Sequence, residues 1–231
     1  MHKDVHSLRY AVYCKEKGFL DPKNYPDGQE YDAYDDYSLN FAAYSTSGEI
    51  IGTVRLVFPK PGQRFPYQDF CTPLPEVVLP PPGMAAEISR LIISPNFREK
   101  PDTSEFGFSS LLSRLAGRGS AKQQKPEYTR VQPAVDLSTS PRILLGLFRK
   151  MYRYSKENGI THWYASMEKT LARMLARMHF AFHPISAQVD YYGPVALYLV
   201  SIEELERALE AKNPSLLAWF RKSRGGDPPI N

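Results

Sequence analysis

Ala86-Glu87-Ile88-Ser89-Arg90-Leu91-Ile92-Ile93-Ser94-Pro95 reads as a buried strand, rich in Ile and Leu and stopped by proline, yet it carries a carboxylate and a guanidinium. Burying an ionised side chain is costly unless it is paired, so a core strand seldom holds two charges without a purpose. Strict alternation puts Glu87 and Ser89 on one face and Arg90 on the other. A β-bulge inside the segment brings Glu87 and Arg90 to the same side and aims them into a cleft. The competing reading is an internal ion pair that closes a sheet.

Around this strand the pattern is mixed. Leu8 to Lys17 has helical spacing, with Leu8, Val12 and Ala11 inward and Gly18 as the stop. Asp21 to Asp36 is a loop full of carboxylates and tyrosines. Leu39–Tyr44 and Glu49–Phe58 read as strands joined by the turn Thr46-Ser47-Gly48, a hairpin signal. Downstream, Ser140 and Pro141 open a helix with the stripe Leu144, Leu147, Met151 and Tyr154, closed by Gly159. A strand at Thr161–Met167 follows, then a helix at Glu168–Met178 and a strand at Val195–Val200. Ser201-Ile202-Glu203-Glu204 reads as a capping box, and Asn213-Pro214 opens the last helix. A helix, an antiparallel hairpin, a central strand, then helix-strand-helix-strand fit one α+β domain over residues 1–223. It carries a long loop insertion at about 98–140, with one helix expected at Phe106–Leu115, and a disordered tail at 224–231.

Composition excludes several classes. The 231 residues, 42% hydrophobic, suffice for one sizeable core. A net charge of +4 is too weak to argue for nucleic acid, and none is expected as a partner. Two cysteines, Cys14 and Cys71, make no disulfide framework and suit a reducing compartment. No apolar run approaches the ~20 residues of a membrane span, and Met1-His2-Lys3-Asp4 opens no signal peptide. A cytoplasmic location without a transmembrane segment is expected. His179 and His183 are four apart, but Pro184 and aromatic flanks argue against a ligand helix, so no metal site is expected.

The order Arg9-x-x-x-Tyr13, Phe19, Glu30-x-Asp32-x-x-Asp35, Gly52-Thr53-Val54-Arg55-Leu56, Phe70 and Glu87-Ile88-Ser89-Arg90 resembles the acyl-homoserine lactone synthases. A sister group, the acyltransferases associated with the PEP-CTERM/exosortase sorting system, is resembled more closely. Leu8-Arg9-Tyr10-Ala11-Val12-Tyr13-Cys14-Lys15-Glu16-Lys17-Gly18-Phe19-Leu20 is similar to that group's opening signature. The C-terminal half resembles it in Ile143-Leu144-Leu145-Gly146-Leu147-Phe148-Arg149, Gly159-Ile160-Thr161-His162-Trp163-Tyr164 and Met167-Glu168-x-x-Leu171-Ala172-Arg173. The match runs from Leu8 to Phe220. It implies the fold of the GCN5-related N-acetyltransferases (GNAT), a central mixed sheet flanked by helices. The implied activity is that of a long-chain N-acyl amino acid synthase, which joins a fatty acyl group from acyl carrier protein to an amino acid. Lactone synthesis from S-adenosylmethionine is the first rival, and a non-catalytic acyl-carrier or nucleic-acid binding module the second. The chain departs from the wider fold at Pro95-Asn96-Phe97-Arg98-Glu99-Lys100-Pro101, which lacks the glycines of a pyrophosphate loop. That favours a carrier-protein thioester over CoA, with no other cofactor. Few residues precede Arg9, so the first helix is expected to be short.

The resemblance assigns roles. Glu87 is the expected base that frees the attacking amine, directly or through water. Arg90 grips the amino-acid carboxylate, or holds Glu87 or the acidic loop in place. Backbone N–H groups near Leu91 and Ile92 take the tetrahedral oxyanion. Glu30, Asp32 and Asp35 form a substrate-side gate or a solvated loop paired with Arg9 and Arg55. Tyr13, Phe19 and Trp163 are candidates for the acceptor pocket, with core packing as the alternative. Arg142, Arg149, Arg153 and Lys156 recur at helical spacing, as do Lys169, Arg173 and Arg177. The first of these stripes is the expected dock for an acidic carrier protein.

Overall fold

The computed structural model describes residues 2–97 and 141–222. The expected loop 98–140 with its helix at Phe106–Leu115, the Ser140 cap and the tail 224–231 lie outside those residues. The elements are α1 (His2–Tyr10), β1 (Ser38–Tyr44), β2 (Ile50–Val57), β3 (Ala85–Ile93), α2 (Pro141–Glu157), β4 (His162–Glu168), α3 (Lys169–Arg177), β5 (His183–Pro184), β6 (Val189–Asp190), β7 (Pro194–Ser201), α4 (Ile202–Lys212) and α5 (Pro214–Arg221). The seven strands form one mixed sheet in the order β1-β2-β3-β4-β7-β5, with β6 also on β7. Only β3 and β4 pair in parallel; the other pairs are antiparallel.

Alternation along each strand sorts residues between two faces. Ala86, Ile88, Leu91 and Ile93 of β3 and Trp163, Ala165 and Met167 of β4 join the main core, which α2, α3, α4 and α5 cover. Gly52 of β2 lets α2 approach, because a Cβ there would lie 2.9 Å from Ile143 Cγ2. The opposite face holds a small cluster of Tyr67, Cys71, Ala85, Tyr164, Ile185 and Leu197, and a second of Leu8, Val12 and Ile92 beneath α1. On that face also lie Arg55, Glu87 and Ser89, under the acidic loop.

Two local readings change. The first helix runs from His2 to Tyr10 and then widens into a π-helical turn, Ala11–Glu16, in which Ala11 is exposed. Ser201 ends β7 and its hydroxyl does not cap α4. Asn213 does cap α5, accepting from the Leu216 N–H at 3.1 Å.

Candidate active site

The β3–β4 ladder ends at Ile88↔Ala165. Beyond it the two strands separate, and the separation coincides with a bulge in β3. Thr53 faces Ile92 and Arg55 faces Ser89, so three steps on β3 match two on β2. Arg90 holds the extra position with φ 51°, the left-handed region that side chains other than glycine seldom adopt. The bulge shifts the alternation by one, putting Leu91 and Ile93 into the core and leaving Arg90 on the Glu87 face. It also bends β3 away from β4.

A cavity of about 210 Å³ fills the fork. Its polar part includes Glu87, Ser89 and Arg90. Its apolar arm is Leu91, Phe148, Ala165, Leu171, Leu175 and Phe182, so the space passes from one sheet face into the core of the other. Tyr13 from the π-helical turn, Phe19, Phe70, Tyr191 and Tyr192 form an aromatic roof. Phe70 stacks on Tyr191 at 3.8 Å between centroids, and Phe19 on Tyr192 at 5.3 Å.

Glu87 is 2% exposed and makes no ion pair with Arg90. Its carboxylate accepts the Tyr67 N–H at 3.0 Å, delivered by the turn Pro66–Asp69. Burial pushes its carboxyl up to about 8, against the pull of that N–H and of Arg55 and Arg90. The arginines are committed elsewhere. Arg9 donates to Glu30 and, at 2.7 and 3.0 Å, to Asp35. Arg55 donates to Asp32 at 2.5 and 3.1 Å and through Nε to Ser89 Oγ at 2.9 Å. Arg90 donates through Nη2 to Glu30 and Asp32, both at 2.9 Å, and through Nε to Glu30. Three guanidinium groups thus balance three carboxylates. Burial works to raise the Glu30 carboxyl, but Arg90 and Arg9 outweigh it and hold it down at about 2. Asp35 is held low by Arg9 and Arg55 in the same way.

In this lattice the acidic loop is paired with Arg9, Arg55 and Arg90, and its Glu30 is buried rather than solvated. Glu30, Asp32, Asp35, Arg9 and Arg55 do not line the cavity; they lie behind Arg90 and fix its side chain. Arg90 Nη1 has no hydrogen-bond partner among the described residues, and the guanidinium sits 5.2 Å from the Tyr13 ring. Tyr13 and Phe19 do line the cavity.

Three expected positions are corrected. Trp163 is fully buried on the core face, donating to Ser155 Oγ at 2.9 Å, and does not line this cavity. Ile92 packs under α1 with Leu8 and Val12, so of the two oxyanion positions only Leu91 borders the cavity. Arg149 is no docking contact: it is 7% exposed, donates to the backbone carbonyls of Trp219 and Lys222, and lies over the Trp219 ring. Arg153 and Lys156 flank a surface groove with Glu206 and Arg221, near the start of β4. That is ~13 Å along the strand from the fork at Ser166. Arg142, at the other end of α2, is exposed. Lys169, Arg173 and Arg177 are exposed on α3, whose inner side supplies Leu171 and Leu175 to the cavity.

The motif reading assigned no site role to Ser166, Glu168, Tyr191 or Tyr192, which also line the cavity. Burial raises the Glu168 carboxyl, with Lys17 opposing. The tight β6–β7 turn brings the two tyrosines over the fork, with Tyr192 at φ 54° and Gly193 at φ 119°.

Residues 8–104 match the profile of a family described as an acetyltransferase (GNAT) domain. No curated protein matches the sequence. Several solved structures share the architecture. BjaI, a CoA-dependent acyl-homoserine lactone synthase seen with SAM and isopentyl-CoA, is 16% identical with a TM-score of 0.57, over 90% of this chain and 80% of that one. TofI, in a ternary complex with an inhibitor and MTA, is 17% identical with a TM-score of 0.57, over 93% and 91%. The AHL synthase LasI is 15% identical with a TM-score of 0.56, over 91% and 88%. The chain therefore has an acyltransferase fold of GNAT type, the fold that the acyl-homoserine lactone synthases share.

Proposed function

We propose that the protein is an N-acyltransferase that moves a long-chain fatty acyl group from acyl carrier protein to the amino group of an amino acid, giving an N-acyl amino acid. The observation that carries this reading is Glu87, a carboxyl pushed up to about 8 where the sheet opens onto an apolar arm. The fatty chain occupies the arm lined by Phe148, Leu171, Leu175 and Phe182, and the thioester carbon lies at the fork. The acceptor sits under the aromatic roof with its amine beside Glu87, and the Nη1 of Arg90 takes its carboxylate.

The chemistry is direct transfer. The amine lone pair attacks the thioester carbon, and the carbonyl π pair moves to oxygen near the Leu91 backbone. Glu87 accepts the amine proton. The C=O then re-forms, the C–S bond breaks, and the thiolate leaves with the proton that Glu87 returns. A carboxyl near 8 takes a proton from an amine at far less cost than an ordinary carboxylate would.

Two features support the carrier protein as donor. β3 leads into the turn Pro95–Phe97 with no glycine to cradle a pyrophosphate, and α3 sets basic residues beside the cavity. On this reading the partner is a cytoplasmic carrier protein. The link to PEP-CTERM sorting rests on the motif resemblance. The test is incubation with acyl carrier protein and acyl-CoA of matched chains, the twenty amino acids and S-adenosylmethionine, read by mass spectrometry. An N-acyl amino acid formed from the carrier thioester is the expected product. A lactone would establish the lactone-synthase reading instead, and equal use of acyl-CoA would overturn the choice of donor. No transfer from any donor would leave a binding module.

A further inference from the structure

Ser166 is the first residue of β4 beyond the last β3–β4 pair, so it stands at the apex of the fork. On β4 it shares a face with Tyr164 and Glu168, which is the Glu87 and Ser89 face of the sheet. It lines the cavity, and the residue as a whole is half-buried. Its Oγ, however, is covered and has no hydrogen-bond partner among the described residues. The exposed part of Ser166 is therefore its backbone and Cβ, not its hydroxyl.

A covered hydroxyl without a partner is unusual in a folded protein, because it has given up water and gained nothing. Ser89, on the facing strand, shows the ordinary outcome, its Oγ accepting the Arg55 Nε–H at 2.9 Å. A serine has three staggered χ1 wells, and moving between them needs no backbone change. Because Ser166 lines the cavity at the fork, rotation out of the covered well can bring its O–H to the place proposed above for the thioester carbonyl.

Resting on the acyltransferase reading above, we infer that Ser166 is the side-chain hydrogen-bond donor to the acyl carbonyl oxygen, acting beside the Leu91 backbone. In the free protein its hydroxyl finds no partner among the described residues. As the carbonyl gains negative charge under amine attack, the hydroxyl turns to it and donates, keeping its own proton. The gain is greatest in the tetrahedral state, so the contribution appears in turnover more than in binding.

The test compares wild type with Ser166→Ala and Ser166→Thr, measuring kcat and KM for the acyl thioester together with thermal unfolding. Ser166→Ala is expected to lower kcat by roughly 10²-fold, the usual cost of one oxyanion donor, with KM little changed. Its Tm should be equal or higher, since an orphaned hydroxyl has gone. Ser166→Thr, which keeps the hydroxyl, should recover much of the rate. A Ser166→Ala enzyme with kcat within two-fold of wild type overturns the role of Ser166 and leaves the acyltransferase reading standing. A threonine variant that folds normally but is as slow as alanine also overturns it. A wild type that transfers no acyl group overturns both.

Discussion

Replacing Glu87 by glutamine removes a proton-binding group while keeping the side chain's shape and an oxygen for the Tyr67 N–H. In the folded protein the carboxyl lies at about 8, against 4.5 ordinarily. Between those values the unfolded chain has lost the proton and the folded chain keeps it. The stabilising contribution is complete below 4.5 and disappears as pH rises through 8, at about 1.4 kcal/mol per pH unit. Across the whole interval it is on the order of 5 kcal/mol. Glu87→Gln removes that slope, so the variant should match wild type near pH 5 and exceed it increasingly towards pH 8. Urea unfolding followed by circular dichroism at half-unit steps from pH 5 to 8.5 measures the difference directly. Glu30 and Asp35, held low by their arginines, titrate below this range and do not confuse it. Acyl transfer should move the opposite way, falling ~10²–10⁴-fold. Stability curves that run parallel for the two proteins would refute the buried, proton-holding Glu87 on which the argument depends.

The charge lattice and the docking surface give further tests. Arg9→Ala takes away one of the two guanidinium partners of Glu30 and of Asp35, leaves the buried lattice one positive charge short, and should destabilise the fold by about 3–5 kcal/mol, read by urea or thermal unfolding. A loss below ~1 kcal/mol would show that the lattice is far weaker than its geometry implies. Reversing Lys169, Arg173 and Arg177 to Glu should raise KM for acyl carrier protein several-fold, in a salt-dependent way, and spare a small thioester surrogate. The same reversal at Arg153 and Lys156, at the far end of α2, should leave KM unchanged; the opposite pattern would restore the α2 stripe as the dock.

The central strand was legible because its charges contradicted its hydrophobicity. Alternation alone placed Glu87 and Arg90 on opposite faces, and the bulge that reconciles them leaves one residue too many in the apolar pattern Ile88, Leu91, Ile93. Helices α2 and α3 were legible from their apolar stripes, and α5 from its Asn213-Pro214 start. What the sequence does not carry is pairing across the chain. Glu87 and Arg90, three apart, look like each other's partners, yet Arg90 reaches back to Glu30 and Asp32 and Glu87 takes a backbone N–H. Arg149 falls on the edge of the α2 stripe, and only the return of α5 across it turns an exposed position into a buried one. Trp163 reads as an aromatic beside a motif, but its strand phase points it into the core. Tyr191 and Tyr192 gain their place through a hairpin turn that brings them against Phe70 and Phe19, a contact between loops that no local pattern announces.

On the proposed function, Glu87 is the base of an acyl transfer at the fork, and its titration should govern single-turnover transfer from a preloaded acyl carrier protein measured against pH. The rate should rise with pH through a midpoint near 8 as Glu87 gives up its proton, and Glu87→Gln should leave a much slower reaction without that limb. A wild-type rate that is flat from pH 6 to 9, or a glutamine variant that keeps the same limb and rate, would contradict it.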